Sequence, residues 1–320
     1  MRNSVKFRGI VLSVALSGIL QYVYAEDPRQ TPGEASPSVW RAKPLKVAGG
    51  EIDIHFQEGP PFDLPRESFV HWVHMAAEAV IAYYGQYPVP HVDVEITPDQ
   101  GHGVHDGTAY AHDGGLITVS VGRNTAQSEL DDDWVLTHEM VHLAFPRLDE
   151  THKWLEEGLA TYVEPLGRIQ TGSLAPERVW GDLMTGLPQG LPKGGDHGLD
   201  VTHTWGRTYW GGALFCLEAD IEIRKRTQGQ KGLVDALRAI LHAGGNIRKY
   251  WEIEPTLKIG DDAVGVPVLV EQYRRWRDTP VTIDLEVLWK QLGVQRRGRR
   301  VMFNDAASLA SVRREITSGS

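Results

Sequence analysis

The stretch WVLTHEMVHLAF, residues 134–145, decides how the rest of the chain is read. It is an apolar run holding two histidines four positions apart, His138 and His142, with Glu139 directly after the first. On an α-helix such residues lie on one face, one turn apart, so both imidazoles can point at one ion. Glu139 is a step round the helix, awkward as a third ligand but well placed to hold a water beside that ion. This is the physical content of H-E-x-x-H: two zinc ligands and a general base. So short a pattern arises by chance in a chain of this length in on the order of a few per cent of cases, and a plain helix carrying two histidines stays open at this point.

A catalytic zinc takes three protein ligands and keeps one position for water. The extended pattern with a third histidine fails, because Phe145 and Leu148 stand at its Gly and His positions. His152 offers a ligand from a loop. The segment WLEEGLATYVE, residues 154–164, offers Glu156 and Glu157 beside a packed face marked by Leu155, Leu159 and Tyr162. Two adjacent acids there are costly to bury unless paired or metal-bound, and otherwise form a solvated pair at a helix start.

Taken together, HEMVH, the fourteen residues between His142 and Glu157, and WLEEGLATYVE resemble the gluzincin metallopeptidases, in particular aminopeptidase N and the glycyl aminopeptidases. In that clan a second helix carries a zinc-ligating Glu directly before a Gly, and the matching residue is Glu157; Glu156 is then structural or outer-shell. A third block, RTYWGGALFCLEADIEIRKRTQGQKGLVDALRAIL, is similar to the family segment bearing a tyrosine that steadies the tetrahedral intermediate, which falls on Tyr209. The three blocks lie within residues 115–245. The resemblance implies an α+β, zincin-like (thermolysin-like) catalytic domain. It implies Zn2+ held by His138, His142 and Glu157, Glu139 as general base and a peptide or protein substrate. Aminopeptidase N relatives also carry G-x-M-E-N on the strand before the zinc helix, where its Glu grips the substrate amine. AHDGGLITVSVG shows no such motif, so endo- and aminopeptidase action both stay open.

Other residues are weighed beside these. His203, oriented by Asp200, is an alternative oxyanion donor to Tyr209. His102, His105 and His112 cluster in a Gly-rich stretch, where a solvated loop is the plain reading and a second metal site the sharper one. The strand LITVSV offers an edge for an extended peptide. Cys216 is the single cysteine, in an apolar helical run, and reads as a buried inert thiol; no internal disulfide is possible.

The bulk numbers bound these readings. The chain has 320 residues, 41% hydrophobic and 23% charged, ordinary for a soluble globular protein. Arg2, Lys6 and Arg8, then GIVLSVALSGIL, then YVYAED have the layout of a secretory signal peptide over residues 1–25. Its removal moves the balance from 33 basic against 42 acidic residues to 30 against 42, a net −12. Such an acidic protein repels nucleic acid. Export implies a secreted or periplasmic protein, with no stable membrane insertion. Arg296, Arg297, Arg299 and Arg300 read as a solvated loop between the last helices.

Residues 26–44 are rich in Pro, Ser and charge and read as a flexible leader. Strands are expected at GGEIDIHFQEG, HVDVEITP and GGLITVSVG, a helix over residues 65–84, and a loop over 101–115. Helices follow at 131–145, with DDD in the first turn, at 153–166, from about 205 after the Gly- and Pro-rich GLPQGLPKGGDHGLD, and around 231–243, 267–277 and 284–292. The expected organisation is one domain over residues 45–320, a sheet lobe over about 45–128 and a helical lobe over about 129–320. Two rival functions remain: a non-catalytic relative that binds peptides or serves as a scaffold, and a zinc hydrolase of non-peptide amides or esters.

Overall fold

The computed structural model describes residues 40–41 and 43–318. The expected signal peptide at residues 1–25 lies outside the described residues, as does nearly all of the expected leader.

The described residues begin with three strands, β1 (Trp40–Arg41), β2 (Leu45–Val47) and β3 (Gly50–Phe56). Helix α1 (Arg66–Tyr84) crosses to β4 (His91–Asp99), followed by β5 (Val104–Tyr110) and β6 (Leu116–Gly122). Period-two alternation drives the central strands. Ile52 and Ile54 on β3, Val92, Val94 and Ile96 on β4, and Val119 and Val121 on β6 are almost fully buried, while the residues between them face the other way. Phe69, Trp72, Val73, Ala76 and Val80 form the matching stripe of α1. Strands β3, β4 and β6 run parallel; β1 and β2 pair antiparallel with β3, and β5 pairs antiparallel with β6. The sheet is therefore mixed, in the order β1–β3–β4–β6–β5, with β2 also on β3.

Two expectations change here. Residues 101–115 are not all loop, since β5 occupies seven of them. Its sequence, VHDGTAY, carries little apolar alternation; main-chain pairing to β6 holds it as a strand, with a register shift between Val104 and Asp106. The strand LITVSV is β6, flanked by β4 and β5, so it offers no open edge. Strand β5 ends the sheet instead.

Helices make up most of the remainder: α2 (Gln127–Asp131), α3 (Val135–His142), α4 (Lys153–Gln170), α5 (Pro176–Gly186) and α6 (Gly212–Arg226). Then come α7 (Leu233–His242), α8 (Ile253–Val264), α9 (Val268–Trp276) and α10 (Leu285–Leu292). A hairpin of β7 (Val294–Arg297) and β8 (Arg300–Phe303) precedes α11 (Ala310–Ser318). The four arginines are exposed, as expected, but lie on a two-stranded hairpin rather than a loop, and Arg296 donates to the Gly181 carbonyl and Thr185. The fold is α+β. Among the described residues no helix is long and apolar enough to cross a membrane.

Candidate metal centre

Helix α3 starts later than its apolar pattern suggests. The expected helix over 131–145 is broken after α2, and its acids do not fill a first turn. Asp133 instead stands before Val135 and accepts from the backbone N–H groups of Val135 (3.0 Å) and Leu136 (3.1 Å), as a capping side chain does. Trp72 of α1 donates its indole N–H to the same carboxylate at 3.1 Å. The start of the histidine helix is thus tied to the helix that covers the sheet.

From that anchor, His138 and Glu139 are buried and His142 is nearly so. Helix α4 crosses beside them and delivers Glu157. Its Oε2 lies 3.2 Å from His138 Nε2 and 3.4 Å from His142 Nε2. Ligand atoms around a tetrahedral zinc, with bonds of about 2.1 Å, stand about 3.4 Å apart, so this donor set suits that ion. Two imidazoles and a carboxylate, each offering one donor atom to a common point, form a group able to hold a metal. Without an ion the charges answer one another. Burial pulls the His142 imidazole down, but the charge and hydrogen bond of Glu157, with Glu139 behind, outweigh it and raise its pKa. Burial pushes Glu157 up, yet His142, His138 and Lys153 hold it well below the usual carboxylate range.

Glu156, one residue earlier, faces elsewhere. It accepts the Leu148 backbone N–H at 2.8 Å and Lys153 Nζ at 3.4 Å, bracing the connection between α3 and α4. Lys153 also reaches Glu157 Oε1 at 3.3 Å, the oxygen that the histidines leave. His152 is not drawn to the cluster, because its Nδ1 pairs with Asp200 at 3.0 Å. Asp200 also accepts from Trp154 (2.8 Å) and Tyr273 (2.9 Å). Its carboxylate is therefore committed to that network, and the proposed pairing with His203, which is exposed, does not form.

Tyr209 sits in a π-helical turn, Arg207–Gly211, directly before α6. Such turns are rare and concentrate at functional sites. Its ring lies 6.3 Å from that of His138, at 26°. The Gly- and Pro-rich stretch expected to be a separator is in part the cradle of this turn. A Cβ on Gly190 would meet the Gly211 and Trp210 backbone at 2.3 Å, and one on Gly206 the Gln189 carbonyl at 2.4 Å. Arg207, buried, pairs with Asp196 at 2.8 Å and donates to the Gly190 carbonyl. The reason for a glycine after Glu157 is equally physical: a Cβ on Gly158 would lie 2.3 Å from Gly212 backbone atoms. Helices α4 and α6 meet backbone to backbone there, which fixes Tyr209 relative to Glu157.

Strand β5 closes the other side. A Cβ on Gly107 would meet Glu139 Cγ and Val135 Cγ1, both at 2.8 Å, so the edge strand runs against the helix at Glu139. Two indoles flank the group. Trp134, 40% exposed, lies 5.5 Å from the His138 ring, and Trp205, 42% exposed, lies 5.8 Å from the Tyr209 ring. Neither was singled out in the sequence, where an exposed Trp reads like a buried one; nor were Lys153, Arg207 and Gly107. His102, His105 and His112 form no metal group among the described residues: His105 pairs with Asp99 at 3.0 Å and His102 with Glu129 at 3.4 Å. Cys216 is buried, which pushes its thiol up and leaves it inert.

No protein-family model matches the chain, and no curated protein sequence matches it. Solved structures do. The chain is similar to a two-domain M1 zinc metallopeptidase variant bound to L-arginine, with a TM-score of 0.52 and 18% identity over 78% of this chain and 53% of that one. It is similar to an aminopeptidase N family protein from Idiomarina loihiensis, with a TM-score of 0.56 and 14% identity over 79% of this chain and 49% of that one. A third is an M1 zinc metallopeptidase variant from Deinococcus radiodurans bound to a Tyr-Ser-Ala substrate, with a TM-score of 0.50, 16% identity and 78% and 53% coverage. The chain thus has the fold of the catalytic part of the M1 zinc metallopeptidases, and it spans about half the length of those structures.

Proposed function

We propose that this chain is an exported zinc-dependent peptidase, with residues 45–128 and 129–320 as the two lobes of a zincin. The observation that carries the reading is the meeting of His138, His142 and Glu157 at one point, with Glu139 beside them and the sheet edge β5 against Glu139. His138, His142 and Glu157 would hold Zn2+. When bound, zinc supplies Lewis acidity to a scissile carbonyl and lowers the pKa of nearby water.

The chain's own residues do the rest. An extended substrate adds to the edge of β5 by main-chain hydrogen bonds, a role that falls to β5 because β6 is enclosed. Trp134 and Trp205 give its side chains two apolar walls. Glu139 takes a proton from the attacking water and hands it to the leaving amine. Tyr209 donates a hydrogen bond to the oxygen that gains charge, a stabilisation worth about 3 kcal/mol in comparable sites. The peptide-bound and amino-acid-bound structures of the same fold support a peptide substrate.

The reading is tested with Glu139→Gln. Zinc content stays at the wild-type level and cleavage of a peptide library falls by about 10²-fold or more. A Gln variant that cleaves as well as wild type removes Glu139 from the mechanism.

A further inference from the structure

We propose a second divalent-metal site on the opposite face of the sheet, formed by Asp53, His55 and Asp93 with His91 beside them. The register of β3 and β4 sets it up. Glu51 stands across from His91, Asp53 from Asp93 and His55 from Glu95. Because Ile52, Ile54, Val92 and Val94 point into the core, alternation turns all six of these residues to the other face. Every outward position over three rows of the two adjoining strands is therefore an acid or a histidine.

Asp53 directly opposite Asp93 is an unfavourable pair, since like charges facing each other across strands repel. The side chains nevertheless gather. His55 Nε2 lies 2.6 Å from Asp93 Oδ1, and His91 Nε2 lies 3.5 Å from Asp93 Oδ2 and 3.9 Å from Asp53 Oδ2. One ligand atom from each of Asp53, His55 and Asp93 lies within 4.8 Å of the others. The His55 side chain is only 9% exposed and each carboxylate 29%, so these groups have lost much of their hydration. Among residues 43–318 no lysine or arginine pairs with Asp53 or Asp93; Lys46 reaches Glu51. Two carboxylates face one another across the strands at 29% exposure, and a divalent cation held between them and His55 would relieve that repulsion.

The donor set chooses the ion. Imidazole nitrogen with carboxylate oxygen suits zinc and its first-row neighbours, whereas calcium and magnesium take mostly oxygen ligands. Binding through Nε2 requires the neutral His55 tautomer that carries its proton on Nδ1, so the ion takes the place of the His55–Asp93 hydrogen bond and links the two strands. The His138 helix packs into the core side of the sheet, so this site is separate from the first and does not depend on its assignment.

The test uses the full chain carrying His138→Ala and Glu157→Ala, stripped of metal and titrated with Co2+ and then Zn2+ alone, following visible absorption and heat. One ion per chain is expected. Adding His55→Gln with Asp93→Asn should weaken binding by about a hundredfold, and Asp53→Asn alone by about tenfold, as losses of ligand or partner groups do. Circular dichroism checks each fold; if the double change unfolds the chain, Asp53→Asn alone decides. A folded background protein that binds no ion, or one whose affinity is unchanged by Asp53→Asn, overturns the proposal.

Discussion

At the scale of single residues, the metal-free centre is an ion pair seen from both partners, and this has a pH signature. Glu157, held below its ordinary 4.5, contributes stability that is full above pH 4.5 and drains away as pH falls through its folded value. His142, held above its ordinary 6.5, contributes stability that is full below pH 6.5 and is lost as pH rises through its folded value. Protein freed of metal with a chelator is therefore expected to gain most from this pair between pH 4.5 and 6.5. Denaturant melts across pH 4 to 8 check it: Glu157→Gln should flatten the profile, and an unchanged profile contradicts the pairing. The oxyanion donor is also a question for single residues. Tyr209→Phe should lower kcat by about 10²-fold with zinc content unchanged. His203→Ala should leave kcat close to wild type, because that side chain is exposed and its proposed orienting partner is occupied. The reverse result, measured on one peptide substrate, would transfer the role to His203.

At the scale of elements, the centre depends on three close approaches, each with a glycine at the contact. Gly158 lets α4 meet α6, Gly190 and Gly206 seat the turn of Tyr209, and Gly107 lets β5 lie against Glu139. Gly158→Ala forces a methyl group into backbone only 2.3 Å away, which no rotamer relieves. Overpacking of this kind costs about 1–3 kcal/mol. The variant should melt at lower temperature and lose turnover through displacement of Tyr209. A melting temperature and kcat equal to wild type would show that the helices do not meet as described. The elements were unevenly legible. Strands β3, β4 and β6 and helix α1 announce themselves through apolar periodicity. Strand β5 does not, because pairing rather than burial makes it a strand. Helices α5, α8 and α11 were passed over: PERVWGDLMTG is short and ends in the Gly-rich run, and IEPTLKIGDDAV carries a proline in its first turn, a position a helix tolerates.

Over the whole molecule, the sequence made its strongest statement where chemistry constrains residue types most tightly. His138, Glu139 and His142 stand out because H-E-x-x-H constrains residue type and spacing together. Spacing leaves His152, Glu156 and Glu157 open, and only the resemblance to the gluzincins points to Glu157, which the fold brings to the two histidines. The supports of that centre do not stand out. Arg207 against Asp196 and the Trp72–Asp133 tie between helices join residues that no periodicity links, while Lys153 against Glu157 is an ordinary i,i+4 helix pair that does not announce a role at a metal centre. Asp200 shows the same limit in reverse: its neighbourhood to His203 in sequence suggested a pair, while the fold spends it on His152, Trp154 and Tyr273.

The central claim is that His138, His142 and Glu157 hold one zinc. Elemental analysis of purified wild-type protein beside Glu157→Ala and His55→Gln/Asp93→Asn tests it most directly. The account predicts that Glu157→Ala loses one zinc per chain relative to wild type, while the sheet-face variant keeps that ion. Folded wild-type protein that takes up no zinc when supplied with it, or a Glu157→Ala protein with undiminished zinc, would contradict the claim and leave α3 a structural helix that carries two histidines.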